Sequence, residues 1–160
     1  MIRLIAAIDR KKGIAKGGLQ PWHIPEDEQY FTEQTKQYGG TVLVGGTTFR
    51  TFREPLSGRR NYVLTRDKTP LAGAEIVDDL DKFLKDFQDK DLWVVGGANV
   101  YAQVLQAGRA DELYLTHIQA DFGCNQFFPE YESAFQLAEQ SDLHEQNGFI
   151  FSFARYTKTG

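Results

Sequence analysis

The sequence holds a single cysteine, Cys124, so no disulfide can close within the chain and no zinc site can be built from thiolates. Its three histidines, His23, His117 and His144, are too scattered to spell a metal-binding motif. Positive charge is not in excess. Eighteen Lys and Arg stand against 22 Asp and Glu, for a formal charge of −4, so there is no basic footprint for nucleic acid or an anionic lipid surface. No apolar run is long enough to cross a bilayer, and the apolar opening, residues 1–9, is too short for a secretory signal. Neither G-x-G-x-x-G nor the Walker pattern occurs. These absences leave a small soluble molecule as the expected partner and the cytoplasm as the expected compartment. With no heptad repeat, a monomer is the default.

What is present suits one domain over residues 1–160: 41% of the residues are hydrophobic, and 12 Phe supply the core. The stretch from Gln20 to Phe31 organises the reading. Pro25 fits the first turn of a helix, where its missing N–H costs nothing. The spacing predicts a helix over residues 25–38, stopped by Gly39 and Gly40. Asp27, Tyr30, Phe31, Gln34, Thr35 and Tyr38 share its one apolar face, so Asp27 should point inward. Glu26, Asp27 and Glu28 also complement the helix dipole, which leaves Asp27 either a pocket carboxylate or a surface one.

Residues 2–8 are nearly all apolar and read as a central strand buried on both faces. Residues 13–21, with three glycines, read as a loop, either a mobile flap or a passive connection. Two strand-Gly-Gly-helix units follow, one through Val44, Gly45, Gly46, Thr47 and Thr48, the other through Val95, Gly96, Gly97, Ala98 and Asn99. Each is either an anion-binding turn at a helix start or a tight turn serving helix packing. Together they could hold the two ends of a dinucleotide. Further strands are expected at residues 60–65, 75–77 and 112–118, and a helix capped by Asp79 or Asp81 carries Leu80, Phe83, Leu84 and Phe87 inward. The alternation of Phe149, Phe151 and Phe153 predicts a strand pairing antiparallel with residues 135–139. The expected architecture is α/β: a mostly parallel sheet of about eight strands, helices on both faces, and an antiparallel C-terminal edge hairpin. In such a sheet the ends of the strands at Ala7, Gly45 and Gly96, the flap and Asp27 converge on one cleft.

Over nearly its full length the sequence resembles dihydrofolate reductase. The matching segments are Leu4-Ile5-Ala6-Ala7, Pro21-Trp22-His23-Ile24-Pro25-Glu26-Asp27, Pro55-Leu56-Ser57-Gly58-Arg59-Arg60-Asn61, Val95-Gly96-Gly97-Ala98-Asn99-Val100-Tyr101 and Leu113-Tyr114-Leu115-Thr116-His117-Ile118. Phe127-Phe128-Pro129 also lies where the family has its aromatic-proline turn. The resemblance implies hydride transfer from NADPH to 7,8-dihydrofolate, giving the tetrahydrofolate used in thymidylate and purine synthesis. It implies that Asp27 hydrogen-bonds the pterin and favours protonation at N5, that Thr116 supports Asp27, and that Trp22 helps to fix a water. Ile5, Ala6, Phe31, Phe52, Leu56 and Val95 would wall the substrate, with Glu28 beside them, and Arg59 would take the α-carboxylate of its glutamate tail. Ala7, Ile14, Gly46, Thr47, Thr48, Leu64, Thr65, Arg66, Val95, Gly96, Gly97, Ala98, Asn99, Val100 and Tyr101 would surround the cofactor. No metal site is implied.

Three positions depart from the family pattern. Gly46 stands where many members carry an arginine for the cofactor's 2′-phosphate, and Arg66 is expected either to replace that charge or to be a solvated surface residue. Glu28 is charged where an apolar residue is common, and is expected either to lie near the anionic tail or to pair with Arg59. Gln20 replaces a larger apolar residue of the lid. Two rival functions remain: a pyrimidine reductase of riboflavin synthesis with the same fold, which Arg59 and the Pro-Trp turn oppose, and a nucleotide-binding module without catalysis.

Overall fold

The computed structural model describes residues 1–160. The first strand, β1 (Ile2–Ile8), sits in the middle of the main sheet. Its seven residues alternate between two cores: Leu4 joins a cluster with Leu43, Val94 and Leu113, whereas Ile5 packs with Val42, Trp93 and Val95. Burial on both faces is what a nearly all-apolar run allows, its one charge, Arg3, being paired with Asp91 and Glu112, and each fully buried aliphatic side chain contributes roughly 1.5–3 kcal/mol. Its parallel neighbours are β6 (Leu92–Val94) and β7 (Glu112–Ile118). Beyond β6 the parallel order continues through β3 (Thr41–Gly45), β4 (Arg60–Leu64) and β5 (Ala74–Val77).

The helices divide between the faces. On one, α1 (Pro25–Thr35) lays Tyr30 and Phe31 against the Ile5 cluster. On the other, α3 (Leu80–Asp86) and α4 (Ala98–Gln106) bring Phe83, Leu84, Val100 and Val104 to the Leu4 cluster. The short α2 (Gly46–Phe49) continues directly from β3. Asp79 caps α3 by accepting the Lys82 N–H at 3.1 Å.

Helix α1 ends at Thr35, three residues before the expected stop at Tyr38. The hydroxyl of Thr35 donates to the carbonyl of Phe31 at 2.7 Å, and Tyr38, Gly39 and Gly40 all take positive φ, which reverses the chain into β3. The Trp93 indole holds the turn by donating to the Gln37 carbonyl at 3.2 Å. Tyr38 therefore leaves the helix face and lies under the Arg3 guanidinium, 3.8 Å from ring centre to carbon.

The antiparallel edge is built on β11 (Phe149–Lys158), which pairs with β7 along one side. Its other side is shared: Phe149 to Phe151 pair with β10 (His144–Gln146), and Ala154 to Lys158 with β9 (Phe135–Gln140). The expected pairing of residues 149–153 with 135–139 is thus displaced toward the end of β11. The cause is the Asn147-Gly148 turn, both residues at positive φ, which closes a tight hairpin and claims the first half of the strand. In place of the loop that the sequence predicts at residues 13–15, the start of the flap forms a short strand, β2 (Gly13–Ala15), paired with β8 (Gln126–Phe127).

Candidate active site

A cleft of about 450 Å³ opens at the carboxyl ends of the central strands. Its floor is Ile5, Ala6 and Ala7 of β1 with Thr116 of the adjacent β7, whose register places Thr116 beside Ala7. Helix α1 supplies Asp27, Glu28, Tyr30, Phe31 and Thr32, and the flap supplies Ile14, Ala15, Gly18, Leu19 and Gln20. Thr48, Thr51, Phe52, Leu56 and Arg59 form the facing wall, and Val95, Gly96, Gly97, Ala98 and Tyr101 close one end.

Asp27 is 9% exposed and accepts a hydrogen bond from the Thr116 hydroxyl, Oγ1 to Oδ1 at 2.6 Å. Burial pushes its carboxyl up to about 6, because the ionised form loses solvation. The Thr116 hydrogen bond pulls the other way, and the charge of Glu28 adds to the rise. A carboxyl poised this close to neutrality in a cleft can carry a proton to a ligand atom.

Arg59 donates from Nη1 to the Thr35 hydroxyl at 2.9 Å and from Nε to the Ser57 carbonyl at 3.0 Å. Both acceptors are neutral, so the guanidinium keeps its charge for a ligand anion. The expected alternative of a Glu28–Arg59 pair is not what the structure holds: Glu28 faces His23, Oε1 to Nδ1 at 3.5 Å.

The Gly96–Gly97 turn is shaped for close approach. Gly96 has φ +125°, forbidden to most side chains, and a Cβ on Gly97 would lie 2.7 Å from Thr48 Oγ1. Gly97 is also the N-cap of α4, with no side chain capping it, so the first amides of that helix face the cleft end. An uncapped helix start beside a glycine-lined gap fits a phosphate-bearing cofactor.

Of the residues expected from the sequence, Ile5, Ala6, Ala7, Ile14, Asp27, Glu28, Phe31, Thr48, Phe52, Leu56, Arg59, Val95, Gly96, Gly97, Ala98, Tyr101 and Thr116 line this one cleft. Trp22, Gly46, Thr47, Leu64, Thr65, Arg66, Asn99 and Val100 lie outside its lining. Trp22 is buried against Phe122 with its Nε1 unpaired by protein. Gly46 abuts Thr65, and Val100 packs against Gly45. Tyr30, Thr32, Thr51 and Gln126 line the cleft without having been singled out for it. Tyr30, on the apolar face of α1, stacks on Phe153 at 4.1 Å and still presents a cleft surface. Cys124 is no reactive thiolate, since burial and Asp9 push its thiol up to about 11.

This sheet order, with a glycine turn and a buried carboxyl meeting in one cleft, is that of a small α/β oxidoreductase, as the likeness to known proteins shows. Residues 1–158 match the family model for dihydrofolate reductase. The chain is 39% identical to dihydrofolate reductase type 3 of Salmonella typhimurium, over 99% of this chain and 98% of that one. It is 34% identical to the dihydrofolate reductase of Bacillus subtilis, over 99% and 95%. Among solved structures, dihydrofolate reductase from Enterococcus faecalis complexed with NADP(H) and RAB-propyl superimposes with a TM-score of 0.89 at 25% identity, covering 100% of this chain and 97% of that one. The chain belongs to the dihydrofolate reductase family. It is an oxidoreductase that uses NADPH to reduce 7,8-dihydrofolate to 5,6,7,8-tetrahydrofolate. No helix is long and apolar enough to cross a membrane.

Proposed function

We propose that Asp27 is the proton-bearing residue of this reduction, and the observation that carries the reading is its buried carboxyl, fixed through Oδ1 by Thr116. Bound NADPH supplies the hydride. With Oδ1 engaged, Oδ2 is the atom left to hydrogen-bond the pterin and, when protonated, to favour protonation at N5. Phe31, Phe52 and Leu56 give the ring system an apolar slot that excludes water, which strengthens each polar contact made inside it. Arg59 anchors the α-carboxylate of the glutamate tail, and its Thr35 and Ser57 contacts hold the fork in place for a bidentate grip. Trp22 Nε1, buried and without a protein partner, is suited to hold a water near Asp27.

On the cofactor side, Ala7, Ile14, Thr48, Gly96, Gly97, Ala98 and Tyr101 meet NADPH directly. Tyr101 is itself fixed by donating from its hydroxyl to the Ile5 carbonyl at 2.5 Å. Gly46, Thr47, Leu64, Thr65 and Arg66 form a shoulder beyond Thr48 for the adenosine half, with exposed Arg66 as the charge for a 2′-phosphate. Asn99 and Val100 act from the first turn of α4. Residues 1–160 form one reductase domain, working as a monomer in the cytoplasm.

The test follows loss of reduced-nicotinamide absorbance with dihydrofolate, NADPH beside NADH, for the native chain and Asp27→Asn. Turnover with NADPH that collapses in the variant supports these roles. Unchanged turnover in Asp27→Asn at every pH removes Asp27 from the chemistry, and binding of NADPH without turnover in the native chain would support a purely binding module.

A further inference from the structure

Asp9 is a buried carboxylate that none of the steps above uses. It follows the last residue of β1, is 4% exposed, and has no cation within ion-pair distance. Three backbone amides satisfy it instead. Oδ1 accepts the N–H of Gly13 at 2.7 Å and of Lys11 at 2.9 Å, and Oδ2 accepts the N–H of Phe122 at 3.2 Å. Burying a charge this way is tolerated only because the amide dipoles replace its hydration.

The three amides belong to two segments. Gly13 opens the flap, and Phe122 lies in the connection from β7 to β8. Gly13 is wedged between them: a Cβ there would stand 2.5 Å from Cys124 Cβ and 2.8 Å from Asp9 Oδ2, so only glycine brings the flap this near. Immediately beyond the anchor, Ile14 and Ala15 line the cleft, and Gln126 lines it from the paired strand β8. One carboxylate outside the cleft therefore ties together both segments of a single cleft wall.

We propose that Asp9 is a positioning residue for NADPH, holding the base of the flap to the β7–β8 connection so that Ile14 and Ala15 present a fixed wall to the cofactor. An uncharged isostere cannot do the same work. Asn offers one acceptor oxygen, and its amide nitrogen would oppose a backbone donor. The inference rests on the assignment of Ile14 to the cofactor side.

Two measurements test it. In the unsubstituted protein, amide exchange should protect Gly13 and Phe122 to within about tenfold of the β1 interior. Exchange there as fast as at exposed Gly18 overturns the proposal, whatever the variants do. In Asp9→Asn, NADPH affinity read by tryptophan fluorescence should weaken about tenfold, while dihydrofolate affinity without cofactor stays within about twofold. A general loss of structure would weaken both ligands together, and that result counts against a positioning role. Ile14→Ala separates the two layers of the inference. Weakened NADPH binding in Ile14→Ala with none in Asp9→Asn overturns Asp9 alone, and unchanged binding in both removes Ile14 from the cofactor and the proposal with it.

Discussion

Arg59 places Nη1 2.9 Å from the hydroxyl of Thr35, and no carboxylate of the chain comes within ion-pair distance of its guanidinium. A charge left unpaired on the rim of an apolar cleft is an invitation to a ligand anion. Arg59→Lys keeps the charge but loses the planar fork, so the KM for dihydrofolate should rise about tenfold with kcat changed far less. Steady-state kinetics at saturating NADPH would show it; an equal fall in kcat with unchanged KM would place Arg59 elsewhere.

Asp27 gives a pH dependence with a definite sign. With its carboxyl at about 6, the protonated fraction falls about tenfold per pH unit above that value, and the hydride-transfer rate should fall with it. Single-turnover rates between about pH 5 and 9 would trace the profile. A flat profile would mean that the proton does not come by way of Asp27.

The same burial makes Asp27 a stability liability. Its folded pKa is raised, so stability is complete below the unfolded value of about 4 and is lost as pH rises through about 6. The full cost of ionisation is roughly 3 kcal/mol. Asp27→Asn, which can still accept from Thr116, should therefore melt higher than the native chain at neutral pH, and the gain should vanish near about pH 4. Calorimetry at the two pH values would decide, with an equal gain at both arguing against a charge effect.

Removing the supporting hydroxyl should move the profile rather than abolish the rate. The Thr116 hydrogen bond favours ionised Asp27, so Thr116→Val should shift the apparent pKa upward, by up to about one unit. A downward shift would contradict the geometry.

Glu28 lines the cleft and is paired only with exposed His23, so its charge is not neutralised by Arg59. Glu28→Leu should tighten dihydrofolate binding by about two- to fivefold, more at low salt than at high. Titration at two ionic strengths would check it, and equal or weaker binding would remove the repulsive role.

How much of this was legible depended on whether a feature is local. Strands β1 and β7 were readable to the residue, since β1 is apolar but for Arg3, and β7 carries β-favouring Leu, Tyr, Thr and Ile between clear breaks. The two Gly-Gly turns and the first turn of α1 carry local chemistry and were equally plain. The end of α1 was not, because residues 36–38 look helical in sequence, and the positive φ of Tyr38 that ends the run is not a conformation its residue type announces. Strands β2 and β8, three and two residues long, exist only through each other. The Asn147-Gly148 pair was in plain view and would have located the β10–β11 hairpin. In the site, Gln126 and Thr51 become neighbours of Asp27's cleft only when the chain folds, which no spacing rule conveys. Glu28 lies 3.5 Å from His23, a neighbour set by the local turn into α1, and not beside Arg59.

The central place of β1 bears on how the chain must be born. Ile2 pairs with Leu92, and Arg3 to Ile8 pair with residues 112–117, so β1 leaves the ribosome well before either of its partner strands. At ordinary rates of translation it waits on the order of ten seconds, an apolar segment with both faces open. Chaperones that recognise extended hydrophobic stretches would meet it during that interval, and the sheet can close only once the later strands β6 and β7 have come back to β1.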